Sequence, residues 1–276
     1  MSSSAQLKEA VPLETSAALV LLSNDDGVNS PGLHALSEAL SPSADVVIVA
    51  PETEQSASSH SLSLHRPLRL RKAGPHVFAL DGTPADCVYV ALYGGNRIVH
   101  RPPDLVVSGI NRGMNLGQDV FYSGTIAAAR EGALRGIPAL AVSAHPSLDV
   151  STIAPMCARI ALALIGLRGG DSRAPLVSLN VPPGWTGEVR ATHLGQRIYE
   201  EIVDVRVDPR GREYLWIGGP GFRHVREAGT DTDAYDDGAA SLTPLTLDLT
   251  SALNSSLVTE LARTTVRDRV RPLHRV

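Results

Sequence analysis

Leu19-Val20-Leu21-Leu22-Ser23-Asn24-Asp25-Asp26-Gly27-Val28-Asn29-Ser30-Pro31-Gly32 is an apolar run that ends in two adjacent carboxylates and then becomes a helix start. A short continuous apolar run suits a strand buried on both faces of a parallel sheet. Ser30 is a natural N-cap, and Pro31 fits the first helical position, which needs no N–H. Leu33, Leu36 and Leu40 follow at helical spacing, so the unit reads strand–loop–helix. Asp25 and Asp26 then fall at the carboxyl end of a strand, where open α/β sheets bind ligands. Two readings of the acid pair stay open here. Adjacent carboxylates repel and invite a cation between them; equally, Asp25-Asp26-Gly27 is turn composition.

Moving outward, the same pattern repeats. Ala44–Ala50 reads as a second buried strand ended by Pro51, and Glu52–Ser63 as a loop carrying Ser56, Ser58, Ser59, Ser61 and Ser63. That loop also leaves a strand's carboxyl end, which makes it a candidate wall of a site. Leu68–Arg71 and Val77–Leu80 suggest a small edge pair. Thr83, Pro84 and Asp86 form a well-made helix start, although Gly82-Thr83 could also face a ligand. Asp104–Ile110 is a third strand, followed by a loop of glycines and amides, Asn111–Asp119, and a helix capped by Ser123 that runs to about Arg135. Free N–H groups and the helix dipole make such a helix start an anion site. No P-loop and no G-x-G-x-x-G follows any strand. Pro138–Ser143 and Leu176–Val181 are further strands, with a helix over Ile153–Leu167 between them. Strands alternating with helices predict an α/β fold, a doubly wound Rossmann-like parallel sheet.

From about Arg197 the character changes. Ile198–Val207 and Tyr214–Gly218 flank Asp208-Pro209-Arg210-Gly211 and read as a long hairpin. A two-stranded ribbon does not hold itself together in water, so it packs on a partner or on the core. Thr230–Asp237 reads as an acidic loop, Ser241–Leu249 as an edge strand because Pro244 cannot donate to a ladder, and Ser256–Arg267 as an amphipathic helix. The expected organisation is a flexible tail (1–16), a catalytic core (17–195), a protruding hairpin for oligomerisation (196–225) and a C-terminal segment (226–276) that packs on, or is exchanged with, a neighbouring subunit.

Composition narrows the classes. The 276 residues are 43% hydrophobic with a net charge of −4, ordinary for a globular protein and without the basic footprint of a nucleic-acid binder. Lys8 and Lys72 are the only lysines, so an anion site must rely on arginine, backbone N–H groups or metal. Cys87 and Cys157 lie in apolar contexts and read as buried free thiols. No apolar run approaches the roughly 20 residues that span a bilayer, and the first sixteen residues lack a signal-peptide core. The expectation is a soluble, cytoplasmic protein.

Several blocks in order resemble the SurE family of survival proteins. They are Ser23-Asn24-Asp25-Asp26-Gly27, Ala50-Pro51 through Gln55-Ser56, and Gly82 through Val88. Ser108-Gly109-Ile110-Asn111 through Asn115, Asp119 through Thr125, and Thr243-Pro244-Leu245 complete the set. The resemblance implies a metal-dependent nucleotidase or phosphomonoesterase acting on nucleoside 5′- and 3′-monophosphates, and on polyphosphate as a further candidate. It matches Asp25, Asp26, Ser56 and Asn111 to the family's divalent-metal ligands. Such an all-oxygen set suits one Mg²⁺ or Mn²⁺ per subunit, with Ca²⁺ a third candidate. It also implies homodimers that exchange the C-terminal segment, paired by the hairpin into tetramers. Two positions depart from the family's pattern: Ala57 and Ala127 stand where it usually has glycine.

On this reading the cation polarises a phosphoryl oxygen and Asn115, Ser123, Gly124 and Thr125 hold the phosphate. Activated water is preferred as nucleophile, with Asp25 forming an aspartyl-phosphate as the alternative. A second class, a non-catalytic nucleotide-binding regulatory protein, would need the phosphate cradle but not the acid pair. A serine hydrolase is disfavoured by the absence of G-x-S-x-G. His60 and His65, in the serine-rich loop, read as solvated.

Overall fold

The first apolar run is β1 (Ala18–Ser23), buried from Leu19 to Ser23. The computed structural model describes residues 17–167, 174–200, 203–218, 221–251 and 254–267. The expected tail 1–16 lies outside them. After β1 come α1 (Pro31–Leu40), β2 (Ala44–Pro51), β3 (Leu70–Gly74), β4 (Val77–Leu80), α2 (Pro84–Tyr93), β5 (Leu105–Arg112), α3 (Gly124–Leu134), β6 (Ala139–Ala144), α4 (Val150–Ala163) and β7 (Leu176–Val181). The remainder is β8 (Val189–Ala191), β9 (Gln196–Tyr199), β10 (Val203–Val207), β11 (Glu213–Ile217), β12 (Phe222–Val225), α5 (Asp231–Asp236), β13 (Ala240–Leu245) and α6 (Ser255–Arg267).

Nine strands form one sheet in the order β3-β4-β2-β1-β5-β6-β7-β13-β8. The run from β4 to β7 is parallel throughout. Because successive side chains of a strand point to opposite faces, a continuous apolar strand needs cover on both. Val20, Leu22, Leu105 and Val107 pack in one cluster with Leu33 and Leu36 of α1 and Ala158 of α4. On the opposite face, α3 lies so close that a Cβ at Gly132 would stand 2.5 Å from Val106 Cγ2. Cutting a buried leucine such as Leu22 to alanine costs about 3 kcal/mol in such a core. The α/β, mostly parallel architecture is as expected.

The helix starts follow their capping chemistry. Ser30 accepts from the Leu33 N–H, Ser123 from Ile126, and Thr83 forms a reciprocal capping box with Asp86. The fourth helix starts earlier than periodicity suggested, at Val150, because Asp149 caps it. Both cysteines are buried and unpaired.

Three expectations about the C-terminal half are corrected. The hairpin strand read as continuous over Ile198–Val207 is two pieces: β9 pairs with β12, and β10 with β11. Thr230–Asp237 is not a loop. Thr230 caps α5, and buried Asp231 accepts from the Gly117 and Gly195 N–H groups, giving the segment a core anchor. β13 is not at the sheet edge but between β7 and β8. The proline logic still holds locally: β8 pairs only with Ala240–Leu242, so Pro244 has a strand neighbour on one side alone. The described residues up to Leu245 form one unit and those from Thr246 onward a second. In the second unit α6 runs over Ser255–Arg267, with Leu257 and Val258 exposed.

Candidate active site at the strand ends

Asp25 and Asp26 follow directly on β1, and Asn24 before them organises their loop. The Asn24 amide donates to the Gly27 carbonyl at 3.0 Å and to Ser30 Oγ at 2.7 Å, tying the acid pair to the start of α1. Gly27 has φ +95, the left-handed region that glycine enters without a Cβ clash. The turn reading holds, and the turn carries the two carboxylates side by side.

Asp25 is 6% exposed, and its Oδ1 accepts the Thr125 hydroxyl at 2.6 Å. Burial pushes its carboxyl up to about 6, against the Thr125 hydrogen bond and with the Asp26 charge adding to the rise. Asp26 is raised as well, by burial first and by Glu54, while the Arg112 N–H on its Oδ2 at 3.0 Å opposes this. Asp26 Oδ1 and Asn111 Oδ1 accept no hydrogen bond among the described residues; the Asn111 amide donates to the Gly113 carbonyl at 3.0 Å. Asn111 lies on the end of β5 rather than in the loop expected there, because that strand continues past a register shift between Ser108 and Asn111.

The serine-rich loop is stitched over this end of the sheet. Gln55 N–H donates to the Asp25 carbonyl at 2.8 Å, which brings Ser56 close to the acid pair. Ser56 Oγ itself donates to Glu54 at 2.6 Å. Farther along, Ser59 bonds Phe121 and Tyr122, Ser61 accepts from Thr83, and the Ser63 N–H reaches Asp86. Gly82-Thr83 thus faces the loop. His60 is not solvated as expected: Nε2 lies 2.9 Å from Oε2 of buried Glu131, which also binds Arg135 at 2.8 Å. Periodicity could not show this, because the partners are far apart in sequence.

Of the expected phosphate-binding residues, Gly124 and Thr125 are placed against Asp25. A Cβ at Gly124 would stand 2.8 Å from Asp25 Cβ. Ser123 is engaged as the α3 cap, and Thr125 bonds Asp25. Asn115 bonds neither carboxylate: it donates to Ser143 Oγ at 2.8 Å and exchanges hydrogen bonds with Asn180. Sequence reasoning missed Ser58. Its buried hydroxyl has no partner among the described residues and would meet a Cβ at Gly124 at 3.0 Å. Its place two residues beyond Ser56 is the only signal that could have found it.

The family model described as "Survival protein SurE" matches residues 20–201. The chain belongs to the SurE family. It is 57% identical over 246 residues to a protein of Sorangium cellulosum named 5′-nucleotidase SurE, covering 88% of this chain and 95% of that one. A 5′-nucleotidase SurE of Anaeromyxobacter dehalogenans is 49% identical over 83% of this chain and 90% of its own. The crystal structure of the SurE protein from Aquifex aeolicus superposes with a TM-score of 0.75 at 37% identity, covering 88% of this chain and 99% of that one. Ala57 has φ +55, in the left-handed region that glycine enters more readily.

Proposed function

We propose that this SurE-family chain is a divalent-metal-dependent nucleotidase, a phosphoric monoester hydrolase that releases phosphate from nucleoside 5′- and 3′-monophosphates. The observation that carries the reading is the acid pair itself. Two adjacent carboxylates are both pushed up in pKa; Asp25 lies against Gly124 at the start of α3, and Asp26 accepts from the Arg112 N–H at the end of β5. Carboxylates in that condition gain from a neighbouring cation, and Asp26 Oδ1 and Asn111 Oδ1 are oxygen donors left open for one. The donor chemistry fits Mg²⁺ or Mn²⁺, one ion per subunit, held by Asp25, Asp26 and Asn111. Ser56 is the fourth ligand: donating its proton to Glu54 leaves its lone pairs available.

When bound, the cation supplies Lewis-acid charge at a phosphoryl oxygen. The chain does the rest. The first turn of α3 offers the Gly124 N–H and its dipole to the phosphate, and the Ser123 hydroxyl can donate its own proton while still capping the helix. Ser58 adds a donor that pays no unbonding cost. Thr125 and the Gln55–Asp25 link fix Asp25 in place, and Asn115, braced by Ser143 and Asn180, sets the floor. Phosphoryl transfer asks mainly for positioning and charge neutralisation, so a site without a histidine base suffices. A regulatory nucleotide-binding protein would not need the acid pair.

The ribbon and the C-terminal segment we assign to assembly into homodimers or homotetramers. Val203, Val205, Val207, Leu215, Trp216 and Ile217 are all exposed on the ribbon, an apolar surface a lone chain has no use for. No described helix is long and apolar enough to cross a membrane.

The deciding experiment measures phosphate release from nucleoside monophosphates after chelation and again with Mg²⁺ or Mn²⁺ restored. Activity should vanish and return. Unchanged release after chelation removes the metal; no release under any condition removes the hydrolase.

A further inference from the structure

The acid pair occupies the carboxyl end of the sheet. At the amino end, about 20 Å away along β2, lies a second cavity of about 560 Å³, a size that takes small organic ligands. Pairing register places its floor. Leu19 stands beside Asp45, Val49 beside Phe78, and Phe78 opposite Lys72, so Leu19, Asp45, Val47, Phe78 and Lys72 share one face of the sheet. Leu19, Val47 and Ile98 are buried, and Phe78 is half-buried. Around this apolar floor stand Lys72, His76, Arg97 and His100, and among the described residues Asp45 is the one carboxylate lining the cavity. The cations here lack the partners that their chain neighbours have. Arg71 pairs with Glu52 at 3.1 Å, and Arg101 with Asp104 at 2.7 Å. Asp104 also takes the Leu19 N–H at 2.8 Å, so this carboxylate beside the cavity is already bonded. Among the described residues Lys72 and Arg97 make no ion pair, and the His76 and His100 rings make no hydrogen bond. The backbone holds two of the four in place: His76 has φ +54 in the β3–β4 turn, its carbonyl accepting the Ile48 N–H at 2.8 Å, and Arg97 closes the single turn Gly95–Arg97.

We propose that this cavity is a second binding site, distinct from the acid pair, for a small organic molecule that carries two or more phosphates, such as a nucleoside triphosphate. The lining is positive even with both imidazoles neutral, in a chain whose net charge is −4. Lys72 comes from β3 and Arg97 from the turn after α2, so a chain of phosphates engages both where a single phosphate engages one. Charged donors on phosphate oxygens make the stronger class of hydrogen bond. His76 and His100 add ring N–H donors, and Phe78 with Ile98 covers the face of a base or sugar. One carboxylate among the cations means that the anion is held without a metal. This site therefore does not depend on the nucleotidase reading.

The test is calorimetric titration of the full chain with ATP in excess EDTA, where metal-dependent turnover is silent. One ATP should bind per chain, and Lys72→Ala combined with Arg97→Ala should weaken it by about tenfold or more. Both side chains are exposed, so their removal leaves the core as it is. Tripolyphosphate and adenosine should each bind at least about fivefold more weakly than ATP, because each meets only half of the site. With Mn²⁺ restored, the double variant should release phosphate from AMP within about twofold of the unmodified rate. No ATP binding in EDTA, binding that the double variant leaves unchanged, tripolyphosphate as tight as ATP, or a parallel loss of AMP turnover would each overturn the proposal. An unmodified protein that binds ATP in EDTA but releases no phosphate from AMP with metal would overturn the nucleotidase reading alone.

Discussion

The strand-end loops around Asp25 and the ribbon between residues 196 and 225 are built on opposite terms. In the loops, polar groups are turned inward: Asn24, Asp25, Asn115 and Thr125 are all buried, held by partners that come from four different strand ends. In the ribbon, apolar groups are turned outward, and the fixed points lie at its base. There Arg197 bonds Asp119 at 2.7 Å and covers the Phe222 ring, and Tyr199 reaches the same carboxylate at 2.6 Å. A buried polar site is positioned by its own fold. An exposed apolar ribbon is completed by another surface. The chemistry should therefore fail through point changes in one chain, and the assembly through changes that leave that chain's core untouched.

The sharpest way to break the comparison is Asp26→Ala, expected to lower metal-dependent phosphate release by roughly a thousandfold or more while the protein stays folded by circular dichroism. Retained turnover would show that the buried loops are only structural. Next comes Gly124→Ala. Its Cβ would press on Asp25, and displacing that carboxylate should cost about a hundredfold in kcat/KM. Val205→Lys with Leu215→Lys should reduce the mass seen by light scattering and shift unfolding of the core by less than about 0.5 kcal/mol. An unchanged mass would mean the ribbon is not an interface.

Smaller effects sharpen the contrast. Burial pushes Glu131 up, but the hydrogen bonds from His60 and Arg135 outweigh it and hold the carboxyl below its usual range. A lowered acid contributes stability that is present above its unfolded pKa and is lost as pH falls through the folded value. Stability should thus decline with acidification below about pH 4.5, the unfolded glutamate range. Glu131→Gln should flatten that decline and cost about 1–3 kcal/mol at neutral pH by leaving Arg135 and His60 without their anion. Ala57→Gly is expected to move the melting free energy by no more than about 1 kcal/mol, relief of left-handed strain being set against added chain freedom.

The parallel core and most helix starts were legible because strand burial and capping are local: Ser30, Thr83 and Ser123 act within three residues of themselves. The acid pair was legible for the same reason. What stayed hidden depends on distant partners. Glu131 has no signature within its own segment, and α5 exists because Asp231 finds the N–H groups of Gly117 and Gly195. The placement of β13 was hidden too, since a proline usually marks an edge and here marks only the point where β8 stops short.

The insertion of β13 between β7 and β8 has a temporal consequence. On the ribosome, β1, β5, β6 and β7 emerge in an order that lets each join a neighbour already made. The outer side of β7 has no lasting partner until residues 240–245 leave the exit tunnel. Through all the intervening synthesis, ribbon included, the nascent sheet carries an open flank. The strand that closes that flank is translated after every other strand of the sheet.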